Sequence, residues 1–300
     1  MQSLDLANNN ITFDKSMVDL FQEAVGYSDL QRLDLSHNKL GNEGIKVVAC
    51  ALMFRSQLKY LNVANCDFNI EGGYSFLGTL GKNHTVEQCI IDNNDLKGPK
   101  QRQKVLKDIL MNNKTLKSLS LNNCNIGEAG MHLMTLSIGI SPSLVSLSLA
   151  GNKIGDNGVE NLINAFVLDC FIIENISFAD NKLTDKGGAY LARAFMCCKS
   201  LQTIDLRHND LSEKTGILLK PVCKVNHCLI KINLEYNICK RLVIEELNKL
   251  TKLNEPKLDK HRTHIVRRKA RALRSQHQSV RFKQNQSPKS ASNEGGDEEE

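Results

Sequence analysis

The chain of 300 residues is 41% hydrophobic and 24% charged, with a formal net charge of +6. That apolar content excludes a wholly disordered chain, no run of 18 apolar residues marks a membrane-spanning helix, and the opening residues lack the basic and apolar regions of a secretory signal. Ten cysteines without a compact framework of spacings predict free thiols and a reducing compartment, cytosol or nucleus.

One pattern runs through the chain from its first residue. Met1, Leu4, Leu6, Asn9 and Ile11 set a spacing that returns at Leu30, Leu33, Leu35, Asn38 and Leu40, and at Leu58, Leu61, Val63, Cys66 and Phe68. There are nine copies, with the Asn/Cys column at Asn9, Asn38, Cys66, Asn94, Cys124, Asn152, Asn181, Asn209 and Asn237. The successive spacings are 29, 28, 28, 30, 28, 29, 28 and 28 residues, the mark of a repeat architecture. Within each copy the Leu-x-Leu alternation predicts a short strand with both leucines turned to the core. The Asn side chain then turns inward and satisfies backbone groups that the following turn leaves unpaired. Cys66 and Cys124 replace it as small buried side chains.

Between strands the apolar spacing changes to three and four, which predicts helices with one buried face. Gly127-Glu-Ala-Gly130 leads into Met131, Leu133, Met134 and Leu136. Gly155-Asp-Asn-Gly158 leads into Val159, Leu162, Ile163 and Phe166, and Thr184-Asp-Lys-Gly187 into Tyr190, Leu191, Ala194 and Phe195. Thr184 and Ser212 are expected N-caps. The expected fold is therefore α/β, a solenoid or horseshoe with a parallel sheet on the concave wall and helices on the convex wall. No repeat buries both its faces alone, so stability is collective.

The expected organisation is a repeat domain over 1–253, a basic segment over 254–283 and an acidic, disordered tail over 284–300. Met1 occupies the first core column with no capping segment before it, so the expectation is an upstream segment of a longer chain or a partner over that end. At the other end Leu242, Val243, Ile244, Leu247, Leu250 and Leu253 predict a closing helix over 241–253, stopped near Pro256. Residues 256–283 hold ten lysines and arginines against Asp259, a net of +9, and residues 284–300 a net of −4. The repeat domain is left near +1, so the basic character reads as local to the C-terminal segment. Arg267, Arg268, Lys269, Arg271 and Arg274 fall in a candidate basic helix over 263–275, suited to an acidic protein or filament surface. The same run resembles a nuclear localisation signal. Nucleic acid is disfavoured because no aromatic platform accompanies the charge.

The repeat Leu-x-x-Leu-x-Leu-x-x-Asn/Cys-x-Leu, with its Gly-x-x-Gly helix start, resembles the ribonuclease-inhibitor-like class of leucine-rich repeat proteins over residues 1 to about 253. The resemblance implies the horseshoe fold and protein-binding work. It speaks weakly to the particular function, because the class spans immune receptors, GTPase activators, actin cappers and centrosomal or ciliary scaffolds. In the Ran-activating members it would call for an exposed arginine on an N-terminal loop. The corresponding loops here, Asn10–Phe13 and Lys39–Asn42, have none.

Phosphate-binding glycine motifs and a nucleophile elbow are absent from the sequence. Cys197, Cys198, Cys223, His227 and Cys228 fit no standard zinc spacing. His37 and His208 fall at matching repeat positions, too far apart to meet. The expectation is a non-enzymatic protein-protein scaffold without cofactor, cytoplasmic, with a cytoskeletal, centrosomal or ciliary setting preferred. The alternative is a regulator of a GTPase or another enzyme by surface binding. The concave wall carries small polar residues in its middle. Anchoring types cluster at Arg32 and Tyr60 early and at Asp205, Arg207, His208, Glu235 and Tyr236 late. The late cluster is the candidate contact patch.

Overall fold

Leucines at period two are buried when successive short strands stack side by side beneath a helical layer, and the chain builds that arrangement rung by rung. A computed structural model of the protein describes residues 2–26, 28–53, 56–167 and 172–257. Among the described residues nine strands, β1 (Ser3–Asp5), β2 (Arg32–Asp34), β3 (Tyr60–Asn62), β4 (Gln88–Ile90), β5 (Ser118–Ser120), β6 (Ser146–Ser148), β7 (Asn175–Ser177), β8 (Thr203–Asp205) and β9 (Lys231–Asn233), form one parallel sheet. They stand in sequence order. The register pairs Ser3 with Arg32, Arg32 with Tyr60 and so on to Thr203 with Lys231. Each step equals the spacing of the Asn column read from the sequence.

The return path of each rung is helical. Among the described residues the helices are α1 (Val18–Gly26), α2 (Gly41–Leu52), α3 (Ile70–Lys82), α4 (Lys100–Asn112), α5 (Gly127–Ile140), α6 (Gly155–Glu160), α7 (Leu162–Val167), α8 (Asp185–Cys197), α9 (Glu213–Val225) and α10 (Arg241–Lys252). Helices pack 8–10 Å apart and strands about 4.8 Å apart. The helix wall is therefore the longer one, which puts the sheet on the concave side. Gly41, Gly127 and Gly155 open α2, α5 and α6 with φ of 60°, 66° and 63°, backbone that a side chain would strain. Thr184 and Ser212 cap α8 and α9, accepting from Lys186 N and Lys214 N.

The Asn column is the internal spine. Asn181 Nδ2 donates to Leu149 O and Ala179 O, both at 2.9 Å. Its Oδ1 accepts from Asn152 N at 3.0 Å and Ile154 N at 3.2 Å. Asn38, Asn94, Asn152, Asn209 and Asn237 bridge neighbouring rungs in the same way. Where cysteine stands in the column the bonding is rerouted. Cys66 donates its thiol to Leu35 O at 3.2 Å, and Leu96 N bonds to the Cys124 carbonyl at 2.9 Å. Burial pushes both thiols up to about 12, only partly opposed by backbone amides such as Asn38 N.

Several helix-face expectations need correction. Leu136 is 54% exposed, because the α5 face that packs inward is Met131, Met134 and Ile138. The segment after Gly155 is two short helices separated at Asn161, not one. Leu133, Ile163 and Tyr190 are only half-buried. In the closing helix α10, Leu247 is buried and Val243, Ile244 and Leu250 are half-buried, but Leu242 and Leu253 face solvent. Pro256 sits in a short 3-10 turn over Glu255–Lys257.

A second amide ladder runs along the loops that return from helix to strand, and sequence reading did not find it. Asn83, Asn113, Asn226 and Asn254 are buried, and each donates to carbonyls of the preceding rung. Met1, residues 258–283 of the basic segment, with Arg267, Arg268, Lys269, Arg271 and Arg274, and the acidic tail lie outside the described residues.

Candidate protein-binding surface

Alternation decides what the concave wall shows. Where the central residue of a strand points into the core, its flanking residues and the second residue after the strand point to solvent. On β8, Ile204 is buried between half-buried Thr203 and Asp205. The turn after each strand then enters left-handed backbone, with φ of 57° at His37, 53° at His208 and 58° at Tyr236. That conformation lifts these side chains onto one ridge, rung after rung.

All five residues of the late cluster come together on β8, β9 and their turns. Arg207 clamps Asp205 through two bonds, Nε to Oδ1 at 3.0 Å and Nη2 to Oδ2 at 2.9 Å. The bonded carboxylate raises the guanidinium pKa further, with Glu235 and Tyr236 contributing. The His208 and Tyr236 rings are stacked, with centroids 4.4 Å apart and planes 6° from parallel. Glu235 is tied to the strand before it, its amide donating to Asn233 Oδ1 at 3.0 Å. His208 N bonds to Glu235 O at 3.2 Å and so joins the two turns. The rings and charges are therefore held in place before any partner arrives, which lowers the entropy lost on contact. Tyr236 is 71% exposed, and Ile238 beside it is 69% exposed. Sequence reading missed Ile238. The signal was there, since the same repeat position is Asn10, Lys39, Asp67, Asp95, Asn125, Lys153, Lys182 and Asp210 in the other rungs.

The early cluster is built differently. The Arg32 guanidinium lies 3.5 Å from the centroid of the Tyr60 ring, a cation–π contact. Beside it, burial pushes Asp34 up. Bonds from the Ser36 hydroxyl and amide and from Asn62, with the Arg32 charge, outweigh that and hold it below the ordinary value. Strands β2 and β8 are six rungs apart, about 29 Å at the usual strand spacing. The two clusters are separate, and so are His37 and His208.

Between them lies a polar network also missed from sequence. Asp92 accepts from Ser120 Oγ at 2.6 Å, Asn122 N at 2.8 Å and Asn122 Nδ2 at 3.0 Å. Asn122 Oδ1 accepts in turn from Ser148 Oγ at 2.7 Å and Ala150 N at 2.8 Å. These groups spend their hydrogen-bonding capacity on one another, so the middle of the wall is flat and internally satisfied.

Cys198, Cys223 and Cys228 are buried while Cys197 is half-buried. Burial pushes the Cys223 thiol up to about 12, away from the thiolate that metal ligation needs. Among the described residues no three His, Cys, Asp or Glu side chains gather to hold a metal ion. Among them, too, no helix is long and apolar enough to cross a membrane.

Comparison with known proteins agrees with this geometry. The family described as "Leucine Rich repeat" matches residues 28–49, 112–136 and 141–162. A mouse (Mus musculus) protein, "Ribonuclease inhibitor", is 27% identical over 259 residues, which is 86% of this chain and 56% of that protein. The pig (Sus scrofa) "Ribonuclease inhibitor" is 25% identical over 77% of this chain and 51% of its own length. The mouse "NACHT, LRR and PYD domains-containing protein 4C" is 32% identical over 68% of this chain but only 21% of itself. The chain thus spans about half the length of the ribonuclease inhibitors it matches.

Proposed function

Because this chain is a leucine-rich repeat protein of the ribonuclease-inhibitor-like class, we propose that it is a non-enzymatic scaffold that holds a protein partner against the β8–β9 end of its concave wall. The observation that carries the reading is the preassembled cluster of Asp205, Arg207, His208, Glu235 and Tyr236. Stacked aromatic and clamped arginine side chains are the types in which binding energy concentrates. They stand on neighbouring rungs of one sheet, His208 and Tyr236 exposed and Arg207 half-buried. The setting we favour is cytoplasmic, on cytoskeletal, centrosomal or ciliary structures. There the basic run Arg267, Arg268, Lys269, Arg271 and Arg274 adds attraction to acidic filament surfaces.

The named relatives support a second reading. Two of them are ribonuclease inhibitors, so regulation of an enzyme by surface occlusion uses the same wall with a different occupant. Co-sedimentation with microtubules, with and without residues 256–300, separates the two. The filament adaptor pellets and loses that behaviour with the segment removed, whereas the enzyme regulator stays in the supernatant. The site itself is tested by proximity labelling in the native cell with Arg207→Ala/Tyr236→Ala. The expected outcome is loss of the labelled partners, and an unchanged set removes this cluster from consideration.

A further inference from the structure

Helix α4 departs from a rule that most of its neighbours keep. Helices α1, α2, α3, α5, α6, α8 and α9 each carry an acid in the first turn, which suits the positive end of the helix dipole. Helix α4 has none, follows Pro99 without a side-chain cap, and begins on Lys100. Lys104 and Lys107 follow at i+4 and i+7. At 3.6 residues per turn, Lys100, Lys104, Lys107 and Met111 fall within about 60° of one another. Lys100, Lys104 and Met111 are exposed there and Lys107 is half-buried, with exposed Asp108 about 40° beyond Lys104; Gln103, Leu106, Ile109 and Leu110 are buried on the other side.

The charge here is large for a domain near neutrality. Residues 97–117 carry seven lysines and arginines against the single acid Asp108, a net of +6. Summing over the whole repeat domain conceals it. Arg102 pairs with Glu71 and Lys117 with Glu87. No salt bridge among the described residues engages Lys97, Lys100, Lys104, Lys107 or Lys114. Like charges three and four apart destabilise a helix, and so does a cation at its N-terminus. The stripe therefore costs the fold stability on two counts, offset only where Asp108 follows Lys104 by four residues, and no salt bridge among the described residues compensates it.

We propose that the outer face of α4 is a docking surface for an acidic protein segment, whose carboxylates follow the lysine line and whose apolar residues meet Met111. The line from Lys100 to Lys107 is about 10 Å long and one helix wide. Exposed Glu71 and Glu128 flank it on α3 and α5. A flat anionic membrane or a nucleic-acid duplex pressed on the convex wall would meet those acids; a narrow acidic helix or strand lies between them. This surface is on the wall opposite the concave cluster and stands independently of it.

The test uses fluorescence anisotropy of a labelled glutamate-rich helical peptide. The protein is the full chain carrying Arg267→Gln, Arg268→Gln, Lys269→Gln, Arg271→Gln and Arg274→Gln, which removes competing charge. Binding should weaken with added salt. Lys100→Glu/Lys104→Glu/Lys107→Glu should lower affinity about tenfold or more, with the Tm little changed because three glutamates repel one another as three lysines do. Lys100→Gln/Lys104→Gln/Lys107→Gln should lower affinity more mildly and raise the Tm, because the like-charge repulsion is gone, which covers a misfolded first variant. Lys186→Glu/Lys214→Glu/Lys224→Glu, elsewhere on the convex wall, should leave affinity unchanged. The proposal is overturned if both α4 variants bind as the parent does, or if the control set loses as much. Tighter binding to phosphatidylserine-rich vesicles or to duplex DNA than to the peptide overturns it too.

Discussion

Replacing Asn181 with alanine removes a side chain that no solvent reaches and orphans three backbone groups at once. Asn152 N and Ile154 N lose the Oδ1 acceptor, and Leu149 O loses the Nδ2 donor. Ala179 O is spared, because Gly151 N also bonds to it at 2.9 Å. A buried unsatisfied group costs about 1–3 kcal/mol. Partial relaxation of a thin rung brings three of them to about 4 kcal/mol. Asn181→Cys should cost about half as much. Its thiol can donate to Leu149 O as Cys66 donates to Leu35 O, but it replaces Oδ1 poorly as an acceptor. Asn9 is exposed and, among the described residues, its side-chain amide donates only to Ala7 O within its own turn, so in this chain Asn9→Ala should cost under about 1 kcal/mol. Urea denaturation followed by circular dichroism, with m-values checked for lost cooperativity, measures all three. The reasoning fails if Asn181→Ala lies within about 1 kcal/mol of the parent, or if Asn181→Cys is as damaging as alanine.

Other consequences are as direct. A Cβ at Gly139 would fall on the carbonyl oxygen of Ala165, so Gly139→Ala should force α5 from α7 and cost about 1–3 kcal/mol, read as a lowered Tm. Ser212→Ala removes the cap on Lys214 N and the bond to Asp185, an expected loss of about 1 kcal/mol by the same assay. Cys66, Cys124 and Cys223 are raised to about 12 by burial. In the folded chain they should resist iodoacetamide at pH 8 that labels them in urea. These thiols hold their protons in the fold after the unfolded chain has begun to lose them. Their contribution is whole below the ordinary thiol value near 9 and is lost as pH rises through about 12; stability that instead climbs across that window would contradict the burial of the column.

What was legible in the chain followed from periodicity. The Asn column and the Leu-x-Leu strands repeat with almost no variation, because an inward amide and two inward leucines are required in every rung. The helix faces were read less well. Apolar spacing places Leu136 and Leu242 on a stripe, but burial depends on the neighbouring rung reaching far enough to cover them, and there it does not. The second amide ladder escaped because its column is broken by other residue types, at Ser141, where the shorter side chain bonds its own loop, and at Cys198. In the candidate site, which residues face outward was readable from alternation. The Arg207–Asp205 clamp and the His208–Tyr236 stack were not, since they depend on χ angles and on left-handed turns. The charge of α4 was hidden by averaging over the domain.

The proposed function puts a partner protein on the exposed side of the sheet. A photo-crosslinking amino acid placed at Ser120, Ser177 or Thr203 on the strand wall, and at Arg193 or Lys224 on the helix wall, tests that in living cells. The strand-wall positions, above all Thr203 on β8 beside the late cluster, should yield a covalent adduct with a partner protein that Arg193 and Lys224 do not. Adducts formed from Arg193 and Lys224 alone would contradict it.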